Sequence, residues 1–286
     1  MNRGLSGLAV LTWLLTRAGP SGAQSPQTPP QNLATALAGL AERAQQYYDR
    51  ISSIICIETV TQQELKSNLT PVGKPRVTVY ELSVTRDTRP KGDPEFHVER
   101  TLQMVNGKRA RRNEEPGCTD PKTGTPEPLG FLLAKNQRNF KFSLSATAAG
   151  GPAGTVALDF VQAPPDRVDV KWKGNCFNAE GGGEDGRLWF EPGTFDVLQI
   201  AARLPKPFLI MVPSFGLSNP PIRVERSNVT MRFGRVRFEQ PDETVLLPES
   251  TETATVFRGA PSWRIVQKLS NFRRFLSVST VRPATR

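Results

Sequence analysis

Apolar residues recur at three- and four-residue spacing from Leu33 through Leu37, Leu40 and Ala44 to Tyr47 or Tyr48, with Glu42, Arg43, Gln45 and Gln46 elsewhere on the wheel. That period predicts an amphipathic helix, whose apolar stripe has to lie on another element. The pattern ends near Ile51, too soon for a coiled coil. Beyond it the period drops to two. Phe96, Val98, Leu102 and Met104 alternate with Glu95, His97, Glu99, Thr101 and Gln103. Val156, Leu158 and Phe160 alternate with Thr155 and Asp159, and Val168, Val170 and Trp172 with Arg167, Asp169, Lys171 and Lys173. Trp263, Ile265 and Leu269 oppose Arg264 and Lys268 in the same manner. One wet face and one dry face per segment is the signature of antiparallel strands. Further strands are expected at 53–64, 76–86, 139–146, 186–191, 195–203, 222–239 and 244–258.

Punctuation supports these assignments. Pro192-Gly193 suits the centre of a type II turn, because Pro fixes φ and Gly accepts a positive φ. Across Gly234 the apolar parity switches from Val229, Met231 and Phe233 to Val236 and Phe238, which predicts a β-bulge. Leu129 to Ala134 reads as a short second helix. There is no βαβ alternation and no internal repeat. The expected fold is therefore mainly β (α+β): a strongly curved antiparallel sheet of about ten strands, forming an incomplete barrel covered on its concave face by one or two helices.

Composition narrows the class. The 286 residues are 37% hydrophobic and 22% charged, which excludes a membrane channel and a wholly disordered chain. One His and three Cys exclude most multi-histidine metal sites and structural zinc clusters, and no cofactor is called for. Residues 1–23 read as a cleavable signal peptide: Arg3, an apolar stretch from Leu5 to Leu15, then Ser21-Gly22-Ala23. Residues 24–31, rich in Gln, Pro and Ser, read as a flexible leader, 32–280 as a single domain and 281–286 as a tail. A soluble periplasmic or secreted protein is expected.

The net charge is +10. Lys108, Arg109, Arg111 and Arg112 form one basic run, and Arg264, Lys268, Arg273, Arg274, Arg282 and Arg286 follow residue 260 with no acid among them. Outside the cytoplasm the counter-charge is an anionic membrane surface or an acidic polysaccharide rather than nucleic acid. The plainer alternative is a solvated face, with Glu114 and Glu115 offsetting the first run. Cys118 and Cys176 sit among turn-forming residues, whereas Cys56 lies in the strand-like run Ile54-Ile55-Cys56-Ile57. A Cys118–Cys176 disulfide with Cys56 free is the preferred pairing, though three single-bridge pairings are open.

Catalytic motifs are not found. There is no Gly-x-Ser-x-Gly elbow, His-Glu-x-x-His, Walker loop or dinucleotide fingerprint. His97, between Glu95 and Glu99 on a polar strand face, reads as an exposed residue rather than a base. The run Gly181-Gly182-Gly183-Glu184-Asp185-Gly186 reads as a connection, not a phosphate or calcium loop. Trp172, Trp189 and Trp263 read as packing residues rather than a ligand wall. A non-enzyme is expected; a carboxylate pair stays open because such pairs are spatial rather than sequential.

Three stretches, taken in order, carry a likeness: Leu33 to Glu64, the hairpin start Gly186 to Pro192, and the late runs Leu246-Leu247-Pro248-Glu249-Ser250 and Ser270-Asn271-Phe272-Arg273-Arg274-Phe275. Together they resemble exported bacterial proteins of the LolA-like superfamily, which includes outer-membrane lipoprotein carriers and RseB-like sensor modules. The resemblance implies a half-barrel with a helix-covered apolar hollow, in which better-known members hold acyl chains. It carries no functional residue over to a numbered position.

The leading expectation is an exported soluble binding protein for a lipid, a lipoprotein acyl chain or another hydrophobic ligand. Its lining comes from the dry strand faces: Phe96, Val98, Leu102, Met104, Val156, Leu158, Phe160, Val168, Val170 and Trp172. If these side chains interdigitate fully, no hollow remains. The alternatives are an envelope protein-interaction or stress-sensor module without a small ligand, and a carboxylate-dependent polysaccharide hydrolase.

Overall fold

The computed structural model describes residues 32–51, 53–87, 95–112, 114, 128–162, 168–173, 176–180, 183–212 and 220–275. The expected signal, leader and tail, together with Cys118, lie outside the described residues. Helix α1, Leu33–Arg50, starts at Asn32, whose side-chain Oδ1 accepts from the Thr35 N–H at 2.8 Å. That satisfies one of the donors a helix start leaves orphaned. Its buried stripe is Ala36, Leu40, Ala44, Tyr47 and Tyr48. Both tyrosines are used, packed edge to face at 5.2 Å.

The strands follow in chain order: β1 Ile54–Leu65, β2 Pro71–Asp87, β3 Glu95–Val105, β4 Lys108–Arg109, β5 Phe140–Leu144, β6 Val156–Gln162 and β7 Asp169–Lys173. Then come β8 Cys176–Glu180, β9 Asp185–Phe190, β10 Val197–Arg203, β11 Phe208–Ile210, β12 Ile222–Glu239, β13 Asp242–Arg258 and β14 Ser262–Arg274. All except β7 and β8 join one open, curved antiparallel sheet in the order β4-β3-β2-β1-β14-β13-β12-β10-β9-β6-β5, with β11 also paired to β12. The first and last long strands are central neighbours, with Glu58 opposite Leu269 and Ile54 opposite Arg274. The helix covers one face, where Leu158, Leu188, Phe190, Ile200, Phe233, Phe238 and Leu246 meet its stripe. This is the mainly β, helix-covered curved sheet that the period predicts.

The structure corrects several local expectations. β7 leaves the main sheet and pairs only with β8, so Val168, Val170 and Trp172 do not extend its dry face. Pro164 and Pro165, just ahead of β7, lack the N–H that a ladder requires. The expected second helix is a 3-10 turn, Gly130–Leu132, and a single turn α2, Ala134–Gln137, separated by the extended Leu133. At Gly234 the extra residue belongs to the partner strand: Arg232 pairs with Ser250 and Phe233 with Pro248, leaving Glu249 unopposed. The Glu249 side chain crosses Gly234 so closely that a Cβ there would stand 1.8 Å from its Oε1. The Pro192-Gly193 turn is longer than a two-residue loop, and its Phe195 adopts a φ of 57°.

Candidate binding site

Among the described residues, the face of the sheet beneath α1 is filled by packed side chains. Phe160 packs on Phe131 at 4.8 Å between centroids, and Phe131 in turn packs on Phe140 at 5.5 Å. Leu158 and Phe160 are fully enclosed and Val156 packs against them. A space of about 20 Å³ is left between Ala44, Tyr47, Leu129, Val197 and Leu246, room for about one water. Val156, Leu158 and Phe160 are thus core residues. Phe96 closes the same core against Tyr48 at 5.8 Å, and Val98 packs with Cys56, Leu82 and Val84.

Leu102 and Met104 separate. Val79 pairs with Met104 but Tyr80 pairs with Leu102, so Gln103 is a bulge that reverses the parity of β3. Leu102 stays with Tyr80, Met104 turns outward and is exposed, and Val105 takes the buried place. The tryptophans do not converge either. Trp189 is buried and donates to the Ala148 carbonyl at 3.1 Å, Trp172 donates to the Met211 carbonyl at 3.2 Å, and Trp263 is exposed. His97 is exposed, as its strand face predicts.

Alternation of β1 turns Glu58 inward between Cys56 and Val60. Glu58 is fully buried; its Oε1 accepts from Arg100 Nη2 at 2.6 Å and from Gln267 Nε2 at 3.0 Å. The Arg100 guanidinium also lies 5.9 Å from the centre of the Tyr80 ring. Burial pushes the Glu58 carboxyl above its ordinary value, with the Arg100 charge and these hydrogen bonds pulling the other way. The Cys56 thiol is pushed up to about 12 by burial, with Glu58 adding to the rise. Cys56 is a free cysteine. Alternation could have found Glu58 and Arg100, since each interrupts an apolar face at the inward parity.

A ligand-sized space lies at the other end of the strands. A half-open cleft of about 470 Å³ separates the main sheet from the β7–β8 hairpin. Its apolar lining includes Val168 and Ala179 from the hairpin and Ala202, Val224, Val229 and Phe257 from the sheet. Leu204 and Phe208, from the β10–β11 passage, complete one wall. Its polar lining is Gln162, Glu184, Arg203, Ser227 and Thr255; Ser227 Oγ and Thr255 Oγ1 share a hydrogen bond of 2.9 Å, and Arg203 binds both oxygens of Asp185 at 3.1 Å. Of the expected lining residues, Val168 alone borders this space. The basic residues Lys108, Arg109, Arg111 and Arg112 are all exposed, at the opposite edge of the sheet from β5.

Among the described residues, no helix is long and apolar enough to cross a membrane. No family model matches the chain, and no curated protein matches it either. Among solved structures, the chain is similar to a domain from Vibrio parahaemolyticus titled as an outer membrane lipoprotein-sorting protein. The match has 9% identity, covers 86% of this chain and 95% of that one, and has a TM-score of 0.38.

Proposed function

We propose that this chain is a non-enzymatic binding protein for a hydrophobic ligand of the acyl-chain type, and that the ligand lies against the β7–β8 hairpin rather than beneath α1. The cleft carries this proposal: its 470 Å³ falls within the ~300–1,000 Å³ usual for small-molecule sites, and its walls are mostly aliphatic and aromatic. Each methylene buried there contributes about 0.8 kcal/mol, so about eight of them supply a gross 6 kcal/mol without any chemistry. The signal-like residues 1–23 support a reading in which that binding occurs outside the cytoplasm.

Asp159 and Asp185 line an adjoining depression, which invites a hydrolytic assignment. Each is held by two hydrogen bonds from one guanidinium, Arg187 on Asp159 and Arg203 on Asp185. Carboxylates so engaged favour a structural ladder over acid–base work.

The test is organic extraction of freshly purified, never-denatured protein followed by mass spectrometry, paired with titration of a dansyl-labelled fatty acid. Acyl lipid in the extract and a saturable fluorescence gain are expected. Val229→Trp, which fills the cleft, should abolish the gain while the thermal melt stays cooperative; Ala202→Leu serves the same purpose with a smaller change. A clean extract together with a flat titration removes the proposal.

A further inference from the structure

The end of the sheet where β1 passes to β2 gathers several cations that make no ion pair among the described residues. Several arginines elsewhere in the sheet are matched: Arg187 with Asp159, Arg203 with Asp185, Arg235 with Glu191 and Asp196, Arg264 with Glu252, Arg273 with Glu81. Lys74, Lys108, Arg109 and Arg111 make no ion pair among the described residues, and Glu114 is the acid beside them. Two local devices bring them together. Gln63 stands alone opposite Gly73, Lys74 and Pro75, because Gln62 pairs with Arg76 and Glu64 with Val72; this wide bulge throws Lys74 outward. The Asn106-Gly107 turn, with φ of 48° and 76°, docks on β2 through Asn106 N–H to the Val77 carbonyl at 2.7 Å and Val77 N–H to Asn106 Oδ1 at 2.8 Å. Between bulge and turn lies a concavity of about 680 Å³, and a second of about 410 Å³ runs from Asn106 along Lys108, Arg109 and Arg111.

Apolar side chains stand out at the same end. Leu69 in the β1–β2 turn is 41% exposed, and Met104 and Trp263 are each 38% exposed. Met104 is directly opposite Arg109, so the two share a face, and Trp263 pairs with Glu64 near the end of β1. An exposed Trp and Met at an end that also carries cations gain nothing from water alone. A bilayer surface accepts both kinds of group, phosphates taking the cations and the headgroup level taking the aromatic and thioether.

We infer that this end of the sheet is a membrane-contact edge that binds the phosphate groups of anionic phospholipid headgroups. The apolar cleft lies at the same end of the strands, since Thr255 in its wall pairs with Trp263. Docking therefore brings the cleft to the lipid, although the edge does not depend on the cleft being occupied.

The experiment is flotation of the full chain with phosphatidylcholine vesicles, with and without phosphatidylglycerol, across a salt series. The protein should float with the phosphatidylglycerol vesicles, less so as salt rises, and stay behind with phosphatidylcholine alone. Lys74→Gln, Lys108→Gln, Arg109→Gln and Arg111→Gln should each lower partitioning about fivefold. Trp263→Ser should weaken binding at every salt concentration. Arg237→Gln, at a matched pair with Asp242, should change nothing. Equal flotation with both vesicle types, or an unaltered partition for the combined four-site variant, overturns the inference. Displacement by millimolar inorganic phosphate overturns it in favour of a free-phosphate site, and tighter binding to dextran sulfate than to vesicles overturns it in favour of a polysaccharide. The dansyl titration of the four-site variant keeps the two proposals apart, because cleft binding should be unchanged.

Discussion

The ring of Phe195 occupies the place where a side chain on Gly39 would be: a Cβ at 39 would come within 2.5 Å of the ring. Phe195 is held there by stacking on Phe190, 6.0 Å between centroids, and by the hydrogen bond from its N–H to the Glu191 carbonyl at 3.0 Å. This contact lets α1 approach the β9–β10 turn closely. Two effects oppose each other in Gly39→Ala. Helix propensity favours Ala by about 1 kcal/mol, whereas forcing a methyl into a filled contact costs about 1–3 kcal/mol. The clash should win, lowering the melting temperature. In a Phe195→Ala background the sign should reverse, with Gly39→Ala stabilising by about 1 kcal/mol. A double-mutant cycle read by urea denaturation checks this, and additive effects would show that the ring is not the obstacle.

The same junction depends on Asp196, which is buried and links the helix to the sheet. One carboxylate oxygen meets Arg43 of α1, and the other accepts from Arg235 of β12 at 2.8 Å. Arg235 reaches on to Glu191 at 2.7 Å. Asp196→Ala leaves two guanidiniums facing each other with no anion between them. Because both arginines reach solvent, the loss should stop at about 1.5–3 kcal/mol, the range for hydrogen bonds to charged groups. Arg235→Gln should cost less than Asp196→Ala. Equal losses in urea melts would mean that Arg43 contributes nothing.

How far the chain could be read follows from where local pattern decides. A period of two fixes which residues share a face as long as register is unbroken, so the long strands β1, β12 and β13 fall close to their expected ranges, whereas β2 starts five residues earlier than expected, at Pro71. One extra residue undoes that inference, as Gln103 does for Met104. Asn106-Gly107, a strong two-residue hairpin signal, marks the β3–β4 turn within the sequence itself. The basic run was visible, but Lys74 and Trp263 reach the same end only through pairing with distant strands. Whether the curve stays hollow was not legible, because it depends on volumes summed across segments. Phe131, from a 3-10 turn outside the sheet, fills the space in front of Phe160.

Cys56 should be chemically silent while the protein is folded. Its thiol is buried and pushed up to about 12, so at neutral pH almost none of it is thiolate, the reactive form. Alkylation with iodoacetamide in native buffer, followed by peptide mapping, should leave the peptide bearing Cys56 unmodified. In denaturant it should be labelled within minutes. Native labelling at a rate near that of a free thiol would place Cys56 at the surface.

The buried pair beside it gives the protein an inverted pH response at one site. The folded state holds the Glu58 carboxyl above its ordinary value of 4.5, so folding favours the protonated form. Its contribution is then fully present below the unfolded value and is lost as pH rises through the folded one. Arg100 limits that loss by meeting the carboxylate at 2.6 Å. Arg100→Met removes the partner and should cost about 3–5 kcal/mol at neutral pH, because a fully buried carboxylate is left uncompensated. The penalty should shrink between neutral and mildly acidic pH, as Glu58 takes up a proton and ceases to be a charge. Adding Glu58→Gln to Arg100→Met should restore most of the neutral-pH stability and flatten the pH dependence. Urea denaturation of the three variants at both pH values checks this. An Arg100→Met penalty that is the same at both pH values would mean that Glu58 does not titrate in this range, and the buried charge would lose its role in the fold.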